Sequence, residues 1–358
     1  MNWGALEVQA TRAVAPLDQL RRLWFSLLAQ SPFLVGVFTR RDSRIAVLMM
    51  LQTLVAFGAA LYLPVLLFAL VPIVLGVAHV AADVRYLVLR RRLPRWWLVS
   101  VWLGSGALIA VRALEEFAHL TSAASVEISL VALFVALASC AGLANKGATW
   151  RAVLALLVLA VATRGALLHP ELARLVFVHA HNAIALVLWV YLYARRKSAI
   201  VPLVSVFVAA AVLASGVLYR VTLGSAFVSA LGLHVLAISD WIAPFATPRF
   251  AIGGVAAYVF LQSIHYGVWL MYVPQEELGR QASATFRRSL SSLFADLGGA
   301  GVVAVGLAIL AVIGGAFVDL QRTRALYLSL AMFHGYLELA MLAYFFVSRA
   351  RSHEACVR

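Results

Sequence analysis

Cysteine and charge are what this 358-residue chain has least of. Its two cysteines, Cys140 inside an apolar run and Cys356 near the C-terminal end, cannot build a disulfide framework or a zinc knuckle. Metal chemistry would therefore have to come from histidine and carboxylate. Charged residues make up 12% and hydrophobic residues 64%, against about 25% and about 45–50% in soluble domains. With a mean hydropathy of +0.94, the composition is that of a polytopic membrane protein. Acidic residues are scarcer still, 15 against 29 Lys and Arg, a net charge of +14. The cations cluster beside apolar runs, as in "RRDSR", "RRRLPR" and "ARRK", so they read as cytoplasmic loops and anchors to anionic lipid. No nucleic-acid partner is inferred from them. Nucleophile elbows, phosphate-binding glycine loops and "HExxH" are also missing, which leaves hydrolytic and phosphoryl-transfer chemistry without residues to carry it. No internal repeat or low-complexity segment is apparent.

What is present is a series of long apolar runs. Residues 1–44 carry Glu7, Arg12, Asp18, Arg21 and Arg22 among Leu, Trp and Phe. They lack the apolar core and cleavage site of a secretory signal and are expected to form an amphipathic, interfacial segment. A crossing helix needs about 20 apolar residues, and ten or eleven runs qualify, near 45–61, 64–89, 96–114, 128–144, 152–168, 172–194, 199–219, 224–242, 250–273, 300–318 and 325–348. The expected fold is all-α, a transmembrane helical bundle of about 10 spans (8–11) in a single domain, residues 45–348, followed by a tail, 349–358. Positive-inside counting places "LEEFAHLTSAASVE" and "HPEL" outside and "NKGATWR" and "ARRK" inside, then fails beyond residue 220. One late segment is therefore expected to be re-entrant or to lie along the surface, with 274–299 as the candidate interfacial helix.

Nine histidines are present, and six of them, His79, His179, His181, His234, His265 and His334, fall within apolar runs. Ionisable groups at membrane depth are costly and usually face a bundle interior or cavity. At about 100° per residue, His79 and Asp83 share a helix face, as do His334 and Glu338. Each carboxylate is placed to be a ligand or to take the other N–H of its imidazole. His179 and His181 are about 200° apart on a helix, so only one can turn toward a given site; His179, which shares a face with Asn182, is the expected one. His265 has Gln262 and Trp269 one turn away on either side, and His234 precedes Asp240 near a helix end.

Imidazoles with one or two carboxylates suit iron, copper or zinc, and an apolar slot with axial histidines suits haem. The simplest alternatives are packing. Membrane histidines hydrogen-bond between helices, Asp83 would pair with Arg85, Arg112 or Arg164, and Tyr266, Trp269 and Tyr272 would face lipid or the interface. His334 with Glu338 resists that reading, because its flanks offer no local partner.

The ordered motifs "GVAHVAAD", "FVHAHN", "LQSIHYGVW" and "LAMFHGYLELA" resemble those of the polytopic bacterial carotene-cleaving dioxygenases of the Brp/Blh type. The resemblance implies a mononuclear non-haem Fe(II), held by His79, His179 or His181, His265 and His334, that activates O₂ against an apolar polyene entering from the bilayer of a bacterial cytoplasmic membrane. Two positions depart from that pattern, Val80 in place of a glycine and Trp269 in place of a second histidine. The leading expectation is a membrane iron-dependent oxygenase or related oxidoreductase with an apolar, lipid-like substrate. A b-type haem electron carrier, or a proton- or metal-coupled transporter using the same groups as a relay, are the other classes.

Overall fold

The computed structural model describes residues 3–192, 199–277 and 285–348. "ARRK", the tail with Cys356 and His353, and part of the expected interfacial stretch, 278–284, lie outside them. The described chain is an all-α membrane fold, interrupted by one two-stranded hairpin. Three short helices, α1 (Trp3–Ala13), α2 (Ala15–Leu28) and α3 (Pro32–Thr39), lead into α4 (Arg41–Tyr62), α5 (Pro64–Asp83), α6 (Arg95–Ala118), α7 (Ala123–Ala144), α8 (Thr149–Leu168) and α9 (Pro170–Leu192). After these come α10 (Ile200–Ala214), α11 (Tyr219–Leu223), the hairpin β1 (Ser229–Ala230) and β2 (Leu233–His234), and α12 (Val235–Ile242). The last elements are α13 (Pro248–Gly267), α14 (Val273–Glu277), α15 (Phe286–Val318), α16 (Leu320–Ala331) and α17 (Phe333–Ser348). Proline opens α3, α5, α9 and α13, where its missing N–H has no helical partner to lose and its fixed φ suits the first turn.

Among the described residues nine helices are long and apolar enough to cross a membrane. Two expected spans are not among them. The 199–219 run forms a helix of only 15 residues, α10, which is short of the membrane thickness. The 224–242 run is not one helix at all. Leu231 and Gly232 both have positive φ, 55° and 73°, the two-residue primed turn that closes a hairpin, and pair Ala230 with Leu233. His234 then caps α12, its Nδ1 accepting from the Leu236 N–H at 3.1 Å, so this histidine serves the backbone.

The 45–348 stretch divides into two compact units. One comprises the described parts of 1–81 and 194–314, the other those of 82–193 and 315–358. In the first unit α13 is the core helix, packed by α4, α10 and α12. Its most apolar window is 83% buried, whereas that of α15 is 0% buried. The small residues Ala251, Gly253, Ala256 and Ala257 let neighbouring backbones approach; a Cβ on Gly253 would stand 2.5 Å from the Leu213 carbonyl oxygen. This core position overturns the lipid-facing expectation for the aromatics after His265. Tyr266, Trp269 and Tyr272 are all buried, and the Tyr272 hydroxyl donates to Gln52, whose amide in turn donates to the Ser263 carbonyl at 2.6 Å.

The same unit accounts for part of the failed charge count. Arg44 reaches Gln275 at 2.7 Å, so the start of α4 and α14 lie at one end. Asp18 of α2 accepts from the backbone N–H groups of Phe286 and Arg287 at 2.7 and 3.2 Å, which places Arg287 and Arg288 beside the segment preceding the first span. The 286–297 part of the expected interfacial stretch is continuous with α15 apart from a break at Gly298 (φ 69°).

In the second unit α17 packs on α7 most extensively, and also on α6, α8 and α9. A buried ionic network joins four of these helices. The Glu127 carboxylate, 1% exposed, accepts from Arg112 at 3.0 Å, from Arg174 at 2.7 Å and from the Tyr336 hydroxyl at 2.7 Å. Glu115 closes the ring, accepting from Arg112 at 3.1 Å and Arg174 at 2.7 Å. Glu127 was expected in an outside loop and instead lies within α7. Arg112, a candidate partner of Asp83, is committed to these two glutamates. Removing one partner of a buried pair leaves uncompensated charge and costs about 3–5 kcal/mol. Glu127→Ala is thus expected to lower the thermal unfolding midpoint of the purified protein markedly. Glu171→Ala, which removes only the 3.6 Å rim contact to Arg174, should leave it nearly unchanged.

Candidate metal centre

Helix α5 carries His79 and, one turn on, Asp83, respectively 1% and 0% exposed. The helix then widens into π-helical turns over Val84–Leu89, and α13 does the same over Val268–Tyr272, just after His265. Such turns often accompany functional sites because they redirect side chains without ending the helix.

In the first unit the rings of His79 and His265 meet edge to face, with centroids 5.0 Å apart and an interplanar angle of 77°. Tyr266 packs on His79 at 4.3 Å. Each imidazole offers one nitrogen within 4.8 Å of the other's. The Nδ1 of His79 lies 2.8 Å from the carbonyl oxygen of Gly76, three residues back on its own helix. A carbonyl only accepts, so in the neutral ring Nδ1 carries the proton and Nε2 keeps its lone pair. Gln262, one turn before His265, is buried, and its Oε1 has no hydrogen-bond partner among the described residues.

In the second unit the same device appears on α17. His334 Nδ1 is hydrogen-bonded to the Ala331 carbonyl, again three residues back, at the point where α16 gives way to α17. Its Nε2 stands 3.0 Å from Nε2 of His181 on α9, and the His181 ring is also hydrogen-bonded to Val178, three residues back. With both outer nitrogens donating to carbonyls, two lone pairs face each other across 3.0 Å. That contact is repulsive unless a cation or a shared proton lies between them. Glu338, fully buried one turn after His334, offers an oxygen within 4.8 Å of the His181 ligand nitrogen. Asp83 is in electrostatic reach of Glu338, and Tyr327 of Asp83.

The close approach of α9 and α17 depends on Gly335. A Cβ there would lie 2.9 Å from His181 Cδ2 and 3.1 Å from Phe177 Cε1. Phe177 stacks on Tyr336 with centroids 4.3 Å apart, and Tyr336 is the residue held by Glu127. His181 is therefore the histidine of α9 that meets His334, in place of the expected His179, which lies half-buried about 200° around the helix. Gly335, Phe177, Tyr336 and Glu127 were not singled out from sequence. Only the "HGYLE" adjacency to His334 hints at the first and third, and nothing local marks Phe177 or Glu127.

The donor set fits a metal. Ligating imidazoles almost always give their other N–H to a carbonyl or carboxylate, which fixes the tautomer and aims the lone pair. Two nitrogens each about 2.1 Å from one ion and at right angles to each other are about 3.0 Å apart. Two axial ligands on opposite faces of a haem would be about 4 Å apart, a spacing the His181 and His334 pair does not have. No protein-family model, curated protein or solved structure matches this chain.

The tautomers are directly observable. Nitrogen-15 NMR of histidine-labelled protein at neutral pH is expected to show His79 and His334 protonated at Nδ1 and bare at Nε2, each signal assigned by its loss in the His→Ala variant. Protonation of either residue at Nε2 instead would contradict the geometry.

Proposed function

We propose that this chain is an integral-membrane, histidine-ligated metalloenzyme of the non-haem iron oxygenase class. His79 with His265 in one unit, and His181 with His334 in the other, are the ligand pairs, each within its own unit. The observation that carries the reading is the pair of facing Nε2 atoms on His181 and His334, each ring held by a carbonyl three residues earlier in the chain. Iron is favoured over other ions by two arguments. Imidazole with carboxylate is the donor set of non-haem ferrous oxygenases, and the motifs around these histidines resemble those of carotene-cleaving dioxygenases.

A bound ferrous ion would supply dioxygen activation. The chain's own residues supply the rest. The Gly76, Val178 and Ala331 carbonyls fix ring orientation. Asp83 and Glu338 lend negative charge that offsets a cation. The surrounding Phe, Trp and Tyr side chains exclude water and receive an apolar substrate without further polar contacts. An apolar surround of this kind supports a lipid-like, isoprenoid-type substrate class.

The test is elemental analysis of detergent-purified protein prepared without chelators, with an absorption spectrum of the same sample. Bound iron without a Soret band is expected, and its retention should fall at least about tenfold in His79→Ala, His181→Ala, His265→Ala and His334→Ala, while His179→Ala keeps it. Protein free of both metal and haem, with the four variants behaving like the parent, would overturn the reading in favour of a proton relay. Gly335→Val provides an independent check. It keeps every ligand but displaces the His181 ring, and should lower iron retention while helix content by circular dichroism is unchanged.

A further inference from the structure

A second feature of the first unit lies where α1 and α2 meet the polar first turns of α15. A cleft of about 700 Å³ there is lined by Arg21, Arg22, Arg287 and Arg288, with Glu7 and Asp18 as its carboxylates. Both carboxylates are already engaged by donors other than these guanidinium groups. Asp18 accepts from the backbone N–H groups of Phe286 and Arg287, and Glu7 accepts from the Ser291 hydroxyl at 2.6 Å. Arg21 also lies over the Phe25 ring, 4.9 Å from its centroid. Arg22, Arg287 and Arg288, all exposed, line this concavity from two chain segments together with Arg21, an arrangement in which a bound anion would lower the repulsion between like charges.

We propose that this cleft binds a phosphate group. The planar guanidinium fork matches phosphate oxygens bidentately, and arginines drawn from two segments can grip one tetrahedral anion from several sides. Asp18 builds the site indirectly. By capping the first turn of α15 it holds the segment of Arg287 and Arg288 beside α2, so that arginines of both segments line the cleft. The exposed apolar stripe of α2, Leu17, Leu20, Trp24 and Leu27, lies on roughly the opposite face from Arg22 at about 100° per residue. With that stripe against lipid, the cleft opens toward water at the level of the headgroups. The shared chemistry is a phosphate ester, from a soluble metabolite or from an anionic lipid headgroup.

Full-length protein in phosphatidylcholine nanodiscs separates the two sources. In one arm, thermal unfolding is followed with glycerol 3-phosphate or inorganic phosphate against chloride at matched ionic strength. In the other, the discs contain phosphatidylglycerol. A raised midpoint in the first arm assigns a soluble phosphate ester, and a rise confined to the second assigns the headgroup. Either supports the proposal if Arg22→Gln/Arg287→Gln/Arg288→Gln abolishes it and the charge-matched control Lys146→Gln/Arg164→Gln/Arg322→Gln does not. Should the triple variant fold poorly, each single variant is expected to weaken binding about fivefold. No response in either arm, or a response unchanged in the cleft variants, would overturn it.

Discussion

The buried carboxylate of Glu127 is the interaction on which the second unit's geometry rests. In the low-dielectric interior of a helix bundle an ionised glutamate is tolerable only with partners on every lone pair, and Glu127 finds them on three other helices: Arg112 of α6, Arg174 of α9 and Tyr336 of α17. Each partner is drawn to one point, so three helices are fixed in depth and rotation relative to α7. Because Tyr336 lies between His334 and Glu338 on α17, the same hydrogen bond that satisfies Glu127 sets which way those two residues face. Arg174 does the equivalent for α9 and His181.

That constraint brings α9 and α17 close enough for imidazoles to touch, and Gly335 removes the one side chain that would hold them apart. The residues nearest the candidate ligands are thus not themselves ligands. A glycine admits a ring, a phenylalanine stacks on a tyrosine, and a salt-bridge network several residues away decides the register. Rigid elements supported in this way are what a preorganised site requires.

In the first unit the support is different. The His79 and His265 pair is held by dense packing of small residues on α13 and by a hydrogen-bond chain from Tyr272 through Gln52 to the Ser263 carbonyl. Both units use the same local device, an imidazole Nδ1 turned back onto a carbonyl three residues earlier. A helical histidine can reach that carbonyl from its own turn, so the device orients Nε2 without help from a neighbouring helix.

Much of this was legible in the residues alone, for a physical reason. Apolar run length is a local property, so the all-α membrane class could be read directly, and the runs of the nine long helices were found together with two, 199–219 and 224–242, that do not form such helices. The i, i+4 spacing of His79 with Asp83 and of His334 with Glu338 is equally local, and it marked both pairs. Tertiary structure decided what depends on neighbours. A helix presents every face to sequence analysis alike, and only packing selects His181 over His179, turns Trp269 and Tyr272 inward, and buries Glu127. Turn geometry at Leu231 and Gly232 converted an apolar run of spanning length into a hairpin, since backbone φ outweighs hydropathy where the chain reverses. The arginine cleft follows the same rule: residues 21–22 and 287–288 are unremarkable charges until Asp18 brings their segments together.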